Sequence, residues 1–311
     1  MDGACILIDI VIVNWNVGPQ LLECVQSVIA NGAGLVSHIT VVDNDSDDGS
    51  ELPLLAVPQV QLMRAGANLG FGKACNLGAE NSSAEFLLFL NPDAVLRPNS
   101  LSTAYKFMQS EPGQSFGICG VQLVDETGDI ARSCARFPNT TMMCAHAIGI
   151  DRFFPRLGHA MLEWDHKTTQ PVDHCIGAFY FIRRTVFEEV HGFDERFFVY
   201  LEDLDLSYRC ANSGWKTVYL ADVRAFHAGG GTSSQVKAHR LFYSQRSRLQ
   251  YAFKHFSIGG AIAVLVATLL LEPPARVIQA ALRGSIQGIA EIARAYGWLW
   301  RWLVKGCKRG R

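Results

Sequence analysis

The sequence predicts an α/β fold with a Rossmann-like, mostly parallel central sheet, followed by a helical C-terminal region. Up to residue 109, short apolar runs rich in β-formers alternate with stretches of helical spacing, and nearly every apolar run ends in a polar cluster. Such alternation is typical of parallel strands joined by right-handed helical crossovers. A chain of 311 residues that is 49% hydrophobic can form one large domain with a substantial appendage.

Four apolar runs in the first 90 residues are predicted to be strands: Ile6–Val13, His38–Val42, Val60–Met63 and Phe86–Leu90. The fourth is apolar without interruption, which indicates burial on both faces of the sheet. One helix follows the first strand, with Pro19 in its first turn. Another begins in the segment Asn68–Asn76 and runs through Glu80.

The middle of the chain is less regular. Asn99–Gln109 is predicted to be helical, Gly117–Val124 and Ile130–Ser133 to form a hairpin, and Arg136–Thr169 to be a long loop with short helices. The pattern then becomes regular again, with predicted strands at Gly177–Ile182, Thr217–Leu220 and Val223–Phe226, and predicted helices at Arg184–His191 and Leu204–Asn212.

The composition changes near residue 234, so we predict a main domain at residues 1–233 and a basic, apolar helical region at 234–311. Residues 236–311 carry 13 Lys and Arg but only two acids, whereas residues 1–235 carry 15 basic and 27 acidic residues. Lys237–His255 is predicted to be a basic helix. The uncharged run Ile258–Leu271 is halted by Glu272 and two prolines, and at 14 residues it is short for a spanning helix.

The last residues place Trp beside Lys and Arg, which suits a membrane interface. We therefore expect association with the cytoplasmic membrane surface, either inserted in it or lying on it. The tail is too apolar for nucleic acid to be the favoured partner. Nine cysteines stand singly, which indicates reduced thiols in a cytoplasmic protein, and the first residues show no signal peptide.

The sharpest candidate site is the group of three carboxylates Glu202, Asp203 and Asp205, which follows an aromatic, apolar approach. Capping of the helix start would explain one or two of these acids but not all three. A second acidic element, Asn91-Pro92-Asp93, ends the fourth strand. Ligands of open α/β sheets bind beyond the carboxyl ends of the strands, so we expect the two elements to face each other across one site.

Asp93 is a candidate ligand for magnesium or manganese, although it could instead be a turn or helix-capping residue. His227 precedes three glycines and is a plausible further ligand only if Asp93 lies nearby; a lone histidine is more often structural.

Three further patterns point to a nucleotide. Asp43 ends the second strand and could accept hydrogen bonds from a base, or it could belong to a polar turn. Trp15 ends the first strand and could cover the face of the base, or it could be a core residue. The segment Asn68–Lys73 is rich in glycine and suits the approach of a phosphate, or it is simply a tight turn before a helix.

Taken together, the sequence resembles the family 2 glycosyltransferases of the GT-A fold, in particular bacterial rhamnosyltransferase-like enzymes of surface-polysaccharide and cell-wall assembly. The resemblance covers residues 8–232 in order. It rests on Ile12–Asn16, Val41–Ser50, Asn68–Gly72 with Asn76, Phe89–Asp93, Gly177–Ala178, Gly192–Phe198, Glu202–Leu206, Gly214–Trp215, and His227 with Gly229–Gly230.

The resemblance implies a role for each of these residues. Asp203 corresponds to the catalytic base, which Glu202 would support, or Glu202 would orient the acceptor. Asp93 and His227 would hold a divalent metal, with Asn91 in place of the first acid of the family's Asp-x-Asp motif. The nucleotide-sugar would be bound by Asn14, Trp15, Asp43, Asn68, Lys73, Asn76 and Asn91.

We therefore expect an inverting, metal-dependent hexosyltransferase that uses a nucleotide-sugar donor and a glycan or polyprenyl-linked saccharide acceptor. The subgroup resembled implies dTDP-L-rhamnose as donor. Two alternatives remain open. One is an enzyme with another donor, UDP-galactofuranose or UDP-N-acetylhexosamine, and the other is a non-catalytic nucleotide-sugar-binding protein.

Overall fold

The computed structural model describes residues 7–32, 34–229 and 237–309. The chain divides into two compact units. The first comprises residues 1–137, 164–198 and 202–232, and the second comprises residues 138–163, 199–201 and 233–311. The predicted boundary at 233/234 lies outside the described residues and stays a prediction, as does the absence of a signal peptide at residues 1–6.

In the described part of the chain, nine strands of the first unit form one sheet in the order β3-β2-β1-β4-β10-β6-β11-β5, with β8 paired to β11. Strands β7 and β9 form a separate antiparallel pair. In chain order the strands are β1 (Ile8–Asn14), β2 (Val36–Asp43), β3 (Val60–Arg64), β4 (Phe86–Leu90), β5 (Ala94–Leu96), β6 (Phe116–Val124), β7 (Cys134–Ala135), β8 (Gln170–Val172), β9 (His174–Cys175), β10 (Phe179–Arg183) and β11 (Lys216–His227).

The predicted α/β class is confirmed, and the sheet is mixed. Strands β3, β2, β1 and β4 are mutually parallel, β10 runs antiparallel to both β4 and β6, and β11 is parallel to β6. The parallel half therefore brings the ends of β1, β2 and β4 to one edge of the sheet, where their polar residues meet. All five residues of β4 are buried, as its unbroken apolar sequence predicts.

Helices cover both faces of the sheet. On one face of the sheet, alternate apolar residues of β1 pack in one cluster with α1 (Gln20–Asn31) and α3 (Ser100–Gln109). On the other face, the remaining apolar residues of β1 pack in a second cluster with a second group of helices. The opposite helices are α2 (Phe71–Ala79), α5 (Arg184–Glu189) and α6 (Glu202–Asn212).

Two predictions for the middle of the chain were wrong. Ile130–Ser133 is not a strand, because only Ile130 pairs, through an isolated bridge to Val124. The two predicted strands Thr217–Leu220 and Val223–Phe226 are one strand, β11, in which a register shift between Leu220 and Arg224 absorbs the polar interruption.

The second unit is helical. Its helices are α4 (Thr140–Ile148), α7 (Lys237–His255), α8 (Ile258–Val266), α9 (Glu272–Leu282) and α10 (Ile286–Arg309). The uncharged run is halted at Glu272-Pro273-Pro274, but the helical structure continues past it. A π-helical segment, Ala267–Leu271, joins α8 to α9, and the prolines stand in the first turn of α9, where a missing N–H is tolerated.

The acid inside this long helix is buried. Glu272 is fully buried, and its carboxylate pairs at 2.7 Å with Arg248 of α7 and with Arg276 one turn later. By length and composition the stretch Ile258–Leu282 is able to cross a membrane, with a mean hydropathy of 1.8 over its most apolar window. The core helix of a soluble protein also passes that test, so the finding is weak support for membrane insertion.

Candidate active site

Asn14 and Asp43 end neighbouring parallel strands and lie directly opposite each other in the register of β1 and β2. The Asn14 side-chain amide nitrogen lies 2.9 Å from Asp43 Oδ1, 3.0 Å from Ser46 Oγ and 2.8 Å from Ser50 Oγ. Because Asn14 is fully buried, it acts beneath the site, where it fixes Asp43 and the following loop. Trp15 is the next residue and is partly exposed, as a side chain that stacks on a base must be.

The glycine-rich turn is held by Asn44, a residue that the sequence analysis did not single out. The Asn44 side chain donates to Asn68 Oδ1 at 3.0 Å and accepts from the Leu69 backbone N–H at 2.8 Å. Gly70 has φ +85°, and a Cβ there would lie 2.2 Å from the Phe198 carbonyl oxygen. The glycine is therefore required by close packing against Phe198, whatever ligand the turn meets.

Lys73 and Asn76 both face the loop that leads to the acidic motif. The Asn76 side chain donates to the Phe193 carbonyl and accepts from the Phe193 N–H, each at 2.9 Å. Lys73 Nζ lies 3.1 Å from Glu195 Oε2, and both side chains are about half exposed. Asn76 thus fixes this loop through its backbone, while Lys73 remains accessible to a ligand.

The predicted metal ligands do come together. His227 Nε2 lies 3.3 Å from Asp93 Oδ1 and 3.3 Å from the Asn91 amide nitrogen. The contact arises because β5 pairs with β11, which places Ala94 opposite His227. Among the described residues no group of three metal-binding side chains forms. A carboxylate with an imidazole nevertheless fits magnesium or manganese, which take remaining ligands from water and substrate phosphates.

The three clustered acids have three different environments. Asp203 Oδ2 accepts from the Gly177 N–H and Oδ1 from the Leu204 N–H, each at 2.8 Å, and the side chain is 18% exposed. Asp205 is fully buried and pairs with Arg209 at 2.8 Å. Arg209 in turn donates to the Val190 and Gly192 carbonyls, so Asp205 serves the packing of α6.

Glu202 is the most unusual of the three. It is only 5% exposed, and its Oε2 has no hydrogen-bond partner among the described residues. Burial and then the adjacent Asp203 charge raise the pKa of Glu202 well above its usual range. Burial therefore favours the protonated form of the Glu202 carboxyl.

Behind Asp203 lies a buried chain of polar groups that sequence reasoning missed. His174 Nε2 lies 3.6 Å from Asp203 Oδ2, a polar contact slightly longer than a hydrogen bond. His174 Nδ1 lies 2.9 Å from Ser207 Oγ, which lies 2.8 Å from the Tyr180 hydroxyl. Burial lowers the pKa of His174, although Asp203 opposes the shift, so the ring is neutral. A proton on Nε2 would point this ring's dipole at Asp203.

The two acidic elements are linked through the start of β10. Asp203 accepts from the Gly177 N–H, and the next residue, Ala178, accepts through its carbonyl from the Asn91 N–H at 3.1 Å. Asn91 then contacts His227, which contacts Asp93. Both acidic elements thus belong to one edge of one sheet. A mixed sheet with the polar ends of its strands gathered at one edge is the arrangement expected for the GT-A fold.

The comparisons with known proteins agree. The model of the family described as "Glycosyl transferase family 2" matches residues 9–191, so the chain belongs to that family. The chain is 29% identical over 255 residues to the N-acetylglucosaminyl-diphospho-decaprenol L-rhamnosyltransferase of Mycobacterium tuberculosis, covering 75% of this chain and 81% of the relative. It is 27% identical over 228 residues to rhamnosyltransferase WbbL of Escherichia coli, covering 70% and 78%.

Among solved structures, a mannosyltransferase from Pyrobaculum calidifontis in complex with GDP-Man and Mn2+ superposes with a TM-score of 0.54 at 17% identity, covering 94% of this chain and 79% of that one. At that identity the likeness concerns the fold alone. The predicted family, its rhamnosyltransferase-like relatives and the assignment as a hexosyltransferase are confirmed.

Proposed function

We propose that this chain is an inverting glycosyltransferase that moves L-rhamnose from dTDP-L-rhamnose to a hydroxyl of a lipid-linked saccharide in cell-surface polysaccharide synthesis. One observation carries the proposal: Asp203, a partly exposed carboxylate held by two backbone amides, is joined through Gly177 and Ala178 to the pair Asp93 and His227. The donor and acceptor follow from the rhamnosyltransferases of Mycobacterium tuberculosis and Escherichia coli that the chain resembles.

Asp203 is the proposed base. The acceptor oxygen attacks the anomeric carbon, the bond from that carbon to the diphosphate oxygen breaks, and the hydroxyl proton passes to the Asp203 carboxylate. Since an alcohol is a poor acid at neutral pH, the base acts in the transition state, where such transfer contributes roughly 10²–10⁴-fold in rate. The backbone amides of Gly177 and Leu204 fix the carboxylate for this transfer. Attack opposite the leaving group inverts the anomeric centre.

The remaining residues would bind the donor. Asp43, fixed by Asn14, would accept from the base, and Trp15 would cover its face. Asn68, Lys73, Asn76 and Asn91 would line the nucleotide-sugar pocket, with Lys73 the best placed to reach an anionic group. Asp93 and His227 would hold a divalent metal, which when bound offsets negative charge on the leaving diphosphate.

We further propose that the protein works at the cytoplasmic face of the membrane as a peripheral protein, with residues 234–311 as the contact region. The lipid-linked substrate named for the mycobacterial relative and the basic, Trp-rich tail support this location. Nucleic acid is not a proposed partner.

A donor screen with the purified protein tests the function. We expect release of dTDP, and product formation with a lipid-linked acceptor, from dTDP-L-rhamnose but not from UDP-galactofuranose or UDP-N-acetylhexosamine. Transfer from another donor would overturn the choice of sugar and keep the enzyme class. Absence of both transfer and donor hydrolysis with every donor would favour the non-catalytic alternative.

The matched variants Asp203→Asn and Asp222→Asn test the base. Asp222 is an exposed acid of β11 with the same chemistry and no place in the site. We expect Asp203→Asn to lower kcat by at least about 10²-fold while donor binding, measured by calorimetry, is retained. Near-normal turnover of Asp203→Asn would show that another group takes the proton.

A further inference from the structure

The second unit contains a cleft of about 490 Å³ whose lining residues all belong to that unit. Three helices of that unit form its walls: the first turns of α7, the second half of α9 and the first turns of α10. Its volume is in the range of small-ligand sites, which run from about 300 to 1,000 Å³.

Basic side chains dominate the cleft. Lys237 and Arg240 come from α7, Arg276 from α9, and Arg283 from the residue that follows α9, against one lining acid, Glu291. In the part of the chain that the structure describes, no carboxylate forms an ion pair with Lys237, Arg240 or Arg283. Arg276 is fixed by the fully buried Glu272 at 2.7 Å. Three exposed cations thus line the cleft beside one acid, and a surface of this net positive charge favours an anionic ligand.

The start of α10 adds to this positive potential. Ser285 and Gly288 line the cleft, and the Ser285 hydroxyl caps the helix by accepting from the Gly288 N–H at 3.1 Å. The amino-terminal end of a 24-residue helix carries partial positive charge, which strengthens the attraction of the three cations for phosphate oxygens.

The turn between α9 and α10 also carries bare apolar side chains. Leu282 is 85% exposed and Ile286 is 83% exposed, and each is the chain neighbour of a residue that lines the cleft, Arg283 and Ser285 respectively. A free phosphate or nucleotide has no hydrocarbon chain that could pack against these apolar side chains. A phosphate-bearing lipid would use both features, with its head in the cleft and its chain along Leu282 and Ile286.

We propose that this cleft binds the diphosphate head of a polyprenyl-linked molecule. The proposal rests on the proposed function, because it locates in this chain a site for the kind of acceptor inferred there. A polyprenyl diphosphate fits better than the phospholipids of the bilayer, because the cleft is concave and cations from α7 and from the end of α9 line it together, whereas an anionic bilayer is met by a flat basic surface.

The test compares two charge-reversal pairs in the full chain. Arg240→Glu with Arg283→Glu alters the cleft, and Arg294→Glu with Arg301→Glu places the same charge change on exposed positions of α10 outside it. The probe is farnesyl diphosphate in detergent without any sugar donor, so that binding does not depend on turnover. Thermal unfolding of each variant checks that it folds.

We expect the cleft pair to weaken farnesyl diphosphate binding by at least about tenfold and the control pair to leave it within about twofold. A fold change of ten corresponds to about 1.4 kcal/mol. Equal effects of the two pairs would show attraction to overall charge and would overturn the proposal. The proposal would also be overturned if the cleft pair lost binding to phosphatidylglycerol vesicles but bound farnesyl diphosphate as the wild type does. If the cleft pair does not fold, the single variants Arg240→Gln and Arg283→Gln replace it. We again expect each of them to bind farnesyl diphosphate more weakly than the control pair does.

The outcomes separate this proposal from the proposed function. Binding of farnesyl diphosphate that depends on the cleft, together with no transfer from any donor, would sink the proposed function and keep the cleft site. Transfer to a lipid-linked acceptor, with binding that is insensitive to the cleft pair, would do the reverse.

Discussion

Asp203 and Glu202 are neighbours in the chain but differ in what surrounds them. Asp203 keeps access to solvent and accepts two backbone N–H bonds, whereas Glu202 is buried with one oxygen unpaired. Burial, followed by the neighbouring Asp203 charge, raises the pKa of Glu202 well above its usual range. Environment, and not residue type, thus separates the proposed base from its neighbour.

We propose that His174 positions Asp203, because His174 Nε2 lies 3.6 Å from Asp203 Oδ2. We expect His174→Ala to lower kcat about tenfold with the donor KM unchanged, because the neutral ring would no longer direct its Nε2 toward Asp203 Oδ2. The pH–rate profile should also change, because the variant loses the ring that contacts the Asp203 carboxylate. The measurement is kcat against pH for the wild type and the variant.

His174→Gln, which keeps a side-chain donor, should restore part of the rate. Tyr180→Phe removes only the far end of the chain of polar groups and should have a smaller effect. If His174→Ala melts at a lower temperature but keeps the wild-type pH profile, His174 is a packing residue only.

Asp93 is predicted to control metal affinity. In the presence of dTDP, Asp93→Ala should weaken Mn2+ binding by at least about tenfold, or about 1.4 kcal/mol, because one of two neighbouring ligands is lost. Titration followed by the electron paramagnetic resonance of free Mn2+ measures this directly. Asp129→Ala, at an exposed turn, is the matched control, and equal affinities for the two variants would contradict the assignment.

The sequence predicts the place of residues that end strands, since Asn14, Asp43, Asp93 and His227 follow β-rich runs whose ends share one edge. His174, Asn44 and the burial of Glu202 could not. His174 lies in a two-residue strand and is held by Ser207, 33 positions away. Asn44 looked like one polar residue of many in its loop. Contacts of that range depend on tertiary packing, which local patterns do not encode.

At the scale of elements, the start and the type of most strands and helices were predicted from sequence. The irregularities within an element were not predicted. β11 continues through a register shift, and the apolar helix continues through two prolines by way of a π-helical segment. In each case a polar or proline residue marks a local irregularity within an element. The buried ion pairs of Glu272 explain why the chain keeps an acid at this point.

Glu272→Gln should destabilise the C-terminal helices by about 3 kcal/mol, because it leaves Arg248 buried without a countercharge. Burial alone would raise the pKa of Glu272, but Arg248 and Arg276 outweigh it and lower the pKa below its ordinary value of 4.5. A lowered pKa in the folded state stabilises the protein above the unfolded value. This stabilisation is lost as the pH falls through the folded value.

Urea unfolding of Glu272→Gln and the wild type between pH 3 and pH 7 measures both effects. The difference in unfolding free energy should be largest near pH 7 and should shrink at the acidic end. Glu291→Gln, whose carboxylate accepts a hydrogen bond from the exposed Gln287 side chain, should change stability by less than about 0.5 kcal/mol. A difference for Glu272→Gln that does not depend on pH would contradict the ion-pair account.

At the scale of the whole molecule, each unit has its own chemistry. The first unit gathers the donor residues, the proposed metal pair and the proposed base at one edge of a sheet. The second unit groups basic side chains with exposed apolar ones on α9 and α10. The charge contrast between the two halves was visible in composition. The grouping of residues 138–163 with the C-terminal helices was not, because little in that segment's sequence is periodic.

The central claim is that one displacement, assisted by Asp203, transfers the sugar. The most direct test is the anomeric configuration of the product, read by NMR from the coupling at the anomeric carbon after reaction with the donor that the screen identifies. A single displacement predicts a configuration opposite to that of the donor, absent from Asp203→Asn at equal enzyme and time. A product that retains the donor's configuration would contradict the account.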